Sequence, residues 1–315
     1  MSDFNLYILG CGSATPTMRH RPSSQVVEYR GRLFMIDCGE GAQVGMRQCG
    51  LKFSRLTDIF ISHLHGDHIL GLPGLLSTMG LHENRGSVTI HMFEEGIKVM
   101  RPFIDFFCKD SPFEIIYDPI SPRNQTVWDN GSLSVTTFPL YHRVPATGFL
   151  FREAPKRPHL RGDMADFFGI PLARRAEICA GADFVTEEGT VIENSRLTFP
   201  AEPPSSYAYC SDTMYDPRVT ESVKGVGTLY HEATYDNTLE RQARARGHST
   251  AREAALTALE AGAGKLIIGH YSQRYKTVDR LLEEAREIFP NTVAAYEGMK
   301  ADLRDTSNNN SDEQQ

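Results

Sequence analysis

The sequence has no paired cysteine motif, no long apolar run and no excess of positive charge. Its six cysteines stand singly, which is typical of reduced intracellular thiols rather than of a disulfide framework or a thiolate zinc site. No segment approaches the roughly 20 apolar residues of a membrane-spanning helix. The first ten residues also lack the basic and apolar regions of a secretory signal. We therefore expect a cytoplasmic protein without a membrane partner.

The net charge of −7 excludes capture of nucleic acid by a positive field over the whole molecule. A polyanion would have to be held by a local patch or by a metal ion. The 315 residues are 40% hydrophobic, which is enough to bury a substantial core and excludes disorder over most of the chain.

Strand-like and helix-like segments alternate along the chain, which predicts α/β layers rather than two separable domains. Apolar, β-branched and aromatic runs predict strands at 5–9, 25–29, 32–37, 57–61, 88–93, 113–117, 133–138, 207–210, 227–231 and 265–269. Helical composition marks 39–48, 95–107, 239–246, 250–261 and 278–288.

Two segments do not follow this alternation of strands and helices. Residues 152–199 are rich in proline, glycine and charge, and their first half, 152–175, carries a net charge of +3. The end of the chain, 301–315, is polar and is predicted to be a disordered tail. We therefore expect one domain over residues 1–300 that includes the 152–199 segment.

A dense cluster of possible metal ligands follows the predicted strand 57–61. His63, His65, Asp67 and His68 form an HxHxDH motif, and imidazole and carboxylate ligands suit divalent ions such as zinc. A polar loop with coincidental histidines is the alternative, but this pattern directly after an apolar strand favours a metal site.

The HxHxDH motif resembles that of the metallo-β-lactamase superfamily, whose members fold as a four-layer αββα sandwich. That resemblance implies further ligands at later strand ends, and His142, Asp212 and His270 each follow a predicted strand. Taken singly, each of the three is more typical of a structural histidine or a capping aspartate than of a metal ligand. Their order and their placement together favour ligation.

The same resemblance implies two divalent metal ions, most simply Zn²⁺. It assigns one ion to His63, His65 and His142, the other to Asp67, His68 and His270, and a bridging position to Asp212. Two-metal hydrolases hold their ions about 3.5–4 Å apart and use them to activate a water and to stabilise a phosphoryl group.

Several blocks that metal binding does not require resemble the ribonuclease Z family. They are residues 9–17, 36–41, 62–75, 211–213, 231–234 and 247–250. This resemblance implies a zinc-dependent endoribonuclease that removes 3′ trailers from precursor tRNA, leaving a 3′-hydroxyl on the tRNA and a 5′-phosphate on the trailer. It also implies a homodimer.

Three residues receive catalytic roles from the ribonuclease Z resemblance. His248 corresponds to the proton donor to the leaving 3′ oxygen, Glu232 supports it, and Asp67 orients or deprotonates the attacking water in addition to binding metal. A histidine near neutral pKa with a carboxylate partner suits such a donor. A histidine that merely packs at the start of a helix is the alternative for His248.

Residues 152–199 occupy the place of the protruding arm with which ribonuclease Z grips tRNA. Lys156, Arg157 and Arg161 are the candidate phosphate contacts, and a solvated charged insertion is the alternative. The segment lacks the Pro-Gly-x-x-Asn start that is common in such arms, and this difference concerns the mode of RNA binding rather than the metal site.

Two other enzyme classes have related ligand patterns. A dinuclear phosphodiesterase or sulfatase acting on small esters would keep the metals but would not require a basic arm or the pair of Glu232 and His248. A redox protein of the flavodiiron type would carry glutamate in place of His65. The sequence therefore favours the ribonuclease, with the small-ester hydrolase as the alternative.

Overall fold

The computed structural model describes residues 3–82, 85–201 and 203–306, and two seven-stranded sheets face each other within these ranges. The strands are β1 (Phe4–Gly10), β2 (Ser24–Tyr29), β3 (Arg32–Cys38), β4 (Leu56–Phe60), β5 (Ser87–Phe93), β6 (Glu114–Ile120), β7 (Gln125–Asp129), β8 (Leu133–Leu140), β9 (Ala146–Glu153), β10 (His159–Leu160), β11 (Phe184–Val185), β12 (Val191–Ile192), β13 (Thr198–Phe199), β14 (Ser206–Cys210), β15 (Thr228–Glu232), β16 (Lys265–Gly269), β17 (Thr292–Ala294) and β18 (Lys300–Asp302). The helices are α1 (Ala42–Gln48), α2 (Gly66–Ile69), α3 (Leu72–Leu81), α4 (Glu94–Cys108), α5 (Gly162–Phe167), α6 (Leu172–Cys179), α7 (Asn194–Leu197), α8 (Pro217–Ser222), α9 (Glu240–Arg246), α10 (Ala251–Ala261) and α11 (Asp279–Arg286).

Each sheet combines an antiparallel half with a parallel half. The first sheet has the order β18-β1-β2-β3-β4-β5-β6, and the second has the order β17-β16-β15-β14-β9-β8-β7. Strands β3 to β6 are parallel, as are β14 to β17. The loops that follow neighbouring parallel strands therefore emerge at one edge of each sheet, where binding sites of layered α/β folds commonly lie.

Strand β1 shows why the first sheet is buried on both faces. Side chains alternate across a strand, and Leu6 and Ile8 point into the core between the two sheets, whereas Tyr7 and Leu9 pack in the core beneath the helices. Because both faces are covered, the whole strand is buried, and its sequence reads as nearly continuous apolar residues.

Helices cover the outer face of each sheet and complete an αββα sandwich, which confirms the predicted fold class. Buried residues of α1, α3 and α4 pack on the first sheet. Helices α8, α10 and α11 pack together, and α10 and α11 lie on the second sheet. Helix α10 begins at a capping box formed by Thr250 and Glu253 and buries alanines, whose small side chains allow close approach to the sheet.

The predicted strands and helices are all present, with ends that differ by a few residues. Outside residues 152–199, sequence reasoning missed α2, α3, β7, β9, α8, β17 and β18. The short β17 and β18 carry little periodic signal, and they are strands because β16 and β1 offer them free edges.

The 152–199 segment is an insertion between the neighbouring strands β9 and β14, and we call residues 154–205 the arm. The predicted start at 152 is wrong, since Arg152 and Glu153 pair with Ser134 and Leu133 inside the second sheet. The arm contains α5, α6, α7 and two short strand pairs. It has its own small core, consisting of Ala165, Ile170, Ile178, Phe184, Ile192 and Leu197.

The predicted tail boundary at residue 301 also differs from the structure. Residues 300–302 pair with β1, and Leu303 is buried in the core between the sheets. A polar sequence forms a strand here because β1 presents an unpaired edge. Residues 307–315, where the remainder of the predicted disordered tail falls, lie outside the described residues. No helix in the described ranges is long and apolar enough to cross a membrane.

Substitution of Phe149 tests how much the core between the sheets contributes to stability. Phe149 is fully buried and packs against Phe60, with the ring centroids 5.3 Å apart. We expect Phe149→Ala to lower the free energy of unfolding by about 3–5 kcal/mol through lost apolar burial and a new cavity. Urea denaturation measures the change. The control Val191→Ala, at an exposed position of the arm, should change stability by less than about 0.5 kcal/mol. Similar stabilities of the two variants would contradict this description of the core.

Candidate metal centre

All seven predicted ligands lie after the ends of strands, in loops or in the short helix α2. His63, His65, Asp67 and His68 occupy the segment after β4 and the start of α2. His142 follows β8, Asp212 follows β14 and His270 follows β16 directly. One parallel strand of the first sheet and three strands of the second thus deliver residues that are distant in sequence to one place, and the structure brings the complete predicted set together.

The first group of donors consists of His63, His65, His142 and one oxygen of Asp212. The Nδ1 atom of His65 lies 3.0 Å from His63 Nε2 and 3.3 Å from His142 Nε2. Asp212 Oδ2 lies 3.5 Å from His63 Nε2 and 3.8 Å from His142 Nε2. Four donors that converge at these separations can enclose one tetrahedral metal ion.

The second group consists of Asp67, His68 and His270, with the other oxygen of Asp212. Asp67 Oδ2 lies 3.4 Å from His68 Nε2 and 3.6 Å from His270 Nε2. Asp212 Oδ1 lies 3.5 Å and 3.1 Å from the same two nitrogens. Asp212 therefore turns one oxygen toward each group, which is the arrangement that a bridging carboxylate requires.

Two buried nitrogens in the second group indicate that a cation completes it. The Nε2 atoms of His68 and His270 make no hydrogen bond among the described residues, although both side chains are almost fully buried. Leaving a buried polar atom unsatisfied is costly. Imidazole nitrogens that face carboxylate oxygens are suitable ligands for zinc and related ions.

The electrostatics of the ligands also suit metal binding. Burial lowers the pKa values of His63, His65 and His142, so these imidazoles are held in the neutral form that can bind a cation. Burial alone would raise the pKa of Asp212, but the neighbouring imidazoles of His270 and His68 outweigh it, and the pKa is lowered. Asp212 therefore stays ionised.

Asp37 orients the ligand loop, and sequence reasoning gave it no role. It lies at the end of β3, is fully buried and has a positive φ of 54°. Its Oδ2 atom lies 2.6 Å from His68 Nδ1 and accepts a hydrogen bond from Tyr209 OH at 2.7 Å, and its Oδ1 accepts from Ser62 N at 2.7 Å. A carboxylate on the distal nitrogen fixes the ring and its tautomer. The signal in the sequence is an aspartate that ends an apolar strand.

Backbone and hydroxyl groups orient the other ligands. His142 Nδ1 lies 2.6 Å from Gly247 O, and His270 Nδ1 lies 2.8 Å from Thr234 Oγ1. Gly247 has φ 76°, and a Cβ atom there would lie 2.8 Å from His142 Nδ1, so both the conformation and the contact require glycine. These partners are invisible in the sequence because they depend on chain segments far apart.

The glycine-rich loop after β1 is used within the protein. Gly12 N donates to Arg21 O, and Ser13 N donates to Tyr271 O. Ala14, with φ 61°, donates its backbone N–H to Asp67 Oδ2 at 2.6 Å. The loop therefore holds Asp67 in position and is a tight turn packed against the metal centre.

His248 and Glu232 form a pair beside the metal centre. His248 Nδ1 lies 2.9 Å from Glu232 Oε1 and 3.9 Å from Asp212 Oδ2. Glu232 is fully buried and also accepts hydrogen bonds from the backbone N–H groups of Thr213 and Thr234. Burial opposes the charged form of His248, but the Glu232 carboxylate outweighs it and raises the pKa of His248 to about 9.

The three predicted RNA contacts lie at the start of the arm and differ in their surroundings. Lys156 Nζ lies 3.8 Å from Glu153 Oε2. Arg161 pairs with Asp163 at 3.0 Å, and its guanidinium lies 5.4 Å from the ring centroid of Phe199. Arg157 is exposed. None of the three belongs to the ligand groups.

Structural comparison defines the class of this fold. The chain matches a crystal structure of the short form of human tRNase Z with a TM-score of 0.67 and 23% identity, over 95% of this chain and 99% of that chain. It also matches the metallo-beta-lactamase fold protein YhfI from Bacillus subtilis with a TM-score of 0.66 and 16% identity, over 95% and 99% of the two chains. The fold is therefore the metallo-β-lactamase fold.

Sequence comparison identifies the family within that class. The chain is 50% identical to the ribonuclease Z of Parabacteroides distasonis over 95% of this chain and 99% of the relative. It is 49% identical to the ribonuclease Z of Bacteroides thetaiotaomicron over 95% of each chain. A family model described as Anti-Pycsar protein Apyc1 matches residues 4–101, a minor part of the chain. The chain belongs to the ribonuclease Z family and is an endoribonuclease, a hydrolase.

Removing the charge of Asp37 tests whether its contact with His68 strengthens metal binding. We expect Asp37→Asn to weaken metal binding by about 10- to 100-fold, because the His68 ring loses its charged partner. Titration of the metal-free protein in the presence of a competing chelator measures the affinity. The exposed Asp110→Asn variant is the control, and circular dichroism verifies that both variants fold. An unchanged affinity in Asp37→Asn would show that the loop needs no such partner.

Proposed function

We propose that this protein removes 3′ trailers from precursor tRNA with two Zn²⁺ ions bound at the metal centre. The observation that carries the proposal is the carboxylate of Asp212, which faces one imidazole group with each oxygen. His63, His65 and His142 would hold one ion, Asp67, His68 and His270 the other, and Asp212 both. Ions bound there supply Lewis acidity and an activated water for phosphodiester hydrolysis.

Residues of the chain itself orient the attacking water and protonate the leaving group. Asp67 stays ionised, because the neighbouring His68 and His270 outweigh burial and lower its pKa, and it orients the attacking water. His248 carries a proton at neutral pH and donates it to the leaving 3′ oxygen of the tRNA. Glu232 occupies the Nδ1 side of His248 at 2.9 Å, so Nε2 is the nitrogen that remains for the leaving oxygen. The products are a 3′-hydroxyl on the tRNA and a 5′-phosphate on the trailer.

We propose that the arm holds the precursor tRNA through Lys156, Arg157 and Arg161. Cationic side chains that neutralise phosphates gain affinity through counterion release. Arg157 is exposed, whereas Lys156 and Arg161 each lie beside an acidic side chain. Of the three, Arg157 is therefore the residue that can contact a phosphate without first leaving an acidic neighbour. The arm and the two sheets would act as one domain.

Cleavage of a precursor tRNA with a 3′ trailer tests the proposed function. The zinc-loaded protein is incubated with this RNA and, separately, with a chromogenic phosphodiester, and the RNA ends are mapped. We expect a cut directly after the discriminator base, abolished in Asp67→Ala and retained in Asp110→Asn. Hydrolysis of the small ester alone would overturn the tRNA assignment and would favour the small-ester phosphodiesterase.

His248→Ala tests the proton donor. We expect kcat for precursor tRNA to fall by about 10²- to 10⁴-fold, the usual contribution of general acid catalysis, with unchanged metal content. The loss should be much smaller for p-nitrophenyl phosphodiesters, whose leaving group needs no proton. His82→Ala, which replaces an exposed histidine directly after α3, is the control. Equal losses on both substrates would assign His248 a role other than proton donation.

We also propose a homodimer that packs through α4. This helix exposes Val99, Phe103, Phe106 and Phe107, with Phe106 74% exposed, and large exposed apolar patches mark interaction surfaces. We expect the wild type to sediment as a dimer at micromolar concentration and Phe106→Glu to sediment as a monomer. Leu172→Glu, which places the same charge on an exposed leucine of the arm, should remain dimeric. A monomeric wild type would contradict the proposal.

A further inference from the structure

A second cluster of metal-ligating side chains lies outside the metal centre. Cys11 follows β1, His20 lies in the loop between β1 and β2, and Glu297 lies between β17 and β18. None of the three has a part in the proposed reaction. The scattered cysteines of the sequence favoured isolated buried thiols, but the fold brings this one to a histidine and a carboxylate.

The donor atoms are spaced as ligands of one ion are spaced. Cys11 Sγ lies 3.6 Å from His20 Nδ1, and His20 Nδ1 lies 3.1 Å and 3.3 Å from the two oxygens of Glu297. Tetrahedral zinc with ordinary bond lengths separates sulfur from nitrogen by about 3.6 Å and nitrogen from oxygen by about 3.4 Å. The imidazole nitrogens of the metal centre show similar separations, 3.0 Å and 3.3 Å.

We propose that Cys11, His20 and Glu297 bind one further divalent ion of the zinc class. The thiol loses its proton to solvent on binding, and the sulfur, the His20 nitrogen and a Glu297 oxygen become ligands. The side chains of His20 and Glu297 are 24% and 16% exposed, which leaves a path for the ion and for a water as fourth ligand.

The Glu297 carboxylate places a negative charge beside Cys11. Burial raises the pKa of the Cys11 thiol well above its ordinary value, and the nearby Glu297 carboxylate raises it further. A bound dication would supply the positive charge that a buried thiolate and a carboxylate need together. Without an ion, the same atoms form a hydrogen-bonded cluster in which Cys11 Sγ also lies 3.6 Å from Ala295 O.

An ion at this position would fasten the loop that supports Asp67. Glu297 also accepts a hydrogen bond from Arg21 N at 2.9 Å, so Glu297 contacts the loop at both His20 and Arg21. The same loop carries Ala14, whose N–H donates to Asp67. The proposed site is therefore structural: it joins the loop after β1 to the segment before β18 and holds the loop against the metal centre.

Cobalt substitution tests the site independently of catalysis. The metal centre contains only nitrogen and oxygen donors, so a thiolate-to-cobalt charge-transfer band can arise only where a cysteine is a ligand. Metal-free protein is titrated with Co²⁺ and followed by absorption, and bound metal is counted after desalting. We expect the band in the wild type. Cys11→Ser should lose it together with about one ion per chain.

Matched variants separate this site from adventitious binding. Cys49→Ser removes a half-buried thiol that belongs to no ligand group among the described residues and should keep the band. His20→Asn keeps Cys11 but removes a ligand, and it should weaken the band and lower the affinity of this ion. A wild type without the band, or a band that survives Cys11→Ser, would overturn the proposal whether or not the protein cleaves RNA.

Discussion

Asp212 is a buried carboxylate with imidazole nitrogens on both sides, and the rest of the site is arranged around it. A lone ionised carboxylate in this position would be strongly unfavourable. The two cations that we propose at this site would supply the compensating positive charge, and Asp212 in turn lies between the two ligand groups. The position depends on β14, a fully buried strand at the centre of the second sheet, which delivers Asp212 between the loops of both sheets.

Hydrogen bonds from other elements hold the ligand side chains around Asp212 in fixed orientations. Asp37, Thr234 and the carbonyl of Gly247 each occupy the distal nitrogen of one ligand histidine. The Ala14 amide fixes Asp67. Because each partner comes from a different element, displacement of any one element would disturb a ligand. The folded core and the metal centre are therefore coupled: ions that bind only the folded chain stabilise it.

Much of the fold could be predicted from local patterns, and the candidate ligand set from the HxHxDH motif together with the family resemblance that it carries. The HxHxDH motif is contiguous, and His142, Asp212 and His270 follow apolar runs that sequence periodicity identifies as strands. The support of these residues could not be predicted, because contacts such as Asp37 with His68 and Ala14 with Asp67 join segments whose approach only the complete fold determines. The start of the tail at residue 301 was mispredicted for the same reason. Leu303 is buried because β18 pairs with the open edge of β1, and the composition of residues 301–306 does not reveal that edge. The cluster of Cys11, His20 and Glu297 escaped notice because Glu297 lies at the opposite end of the chain.

Anomalous diffraction from crystals of the zinc-loaded protein, recorded at the zinc absorption edge, locates the ions at the metal centre. We expect two zinc peaks, one on each side of the Asp212 carboxylate, the first among His63, His65 and His142 and the second among Asp67, His68 and His270. A single peak, or two peaks of which one lacks contact with Asp212, would contradict the bridging role on which the proposed mechanism depends.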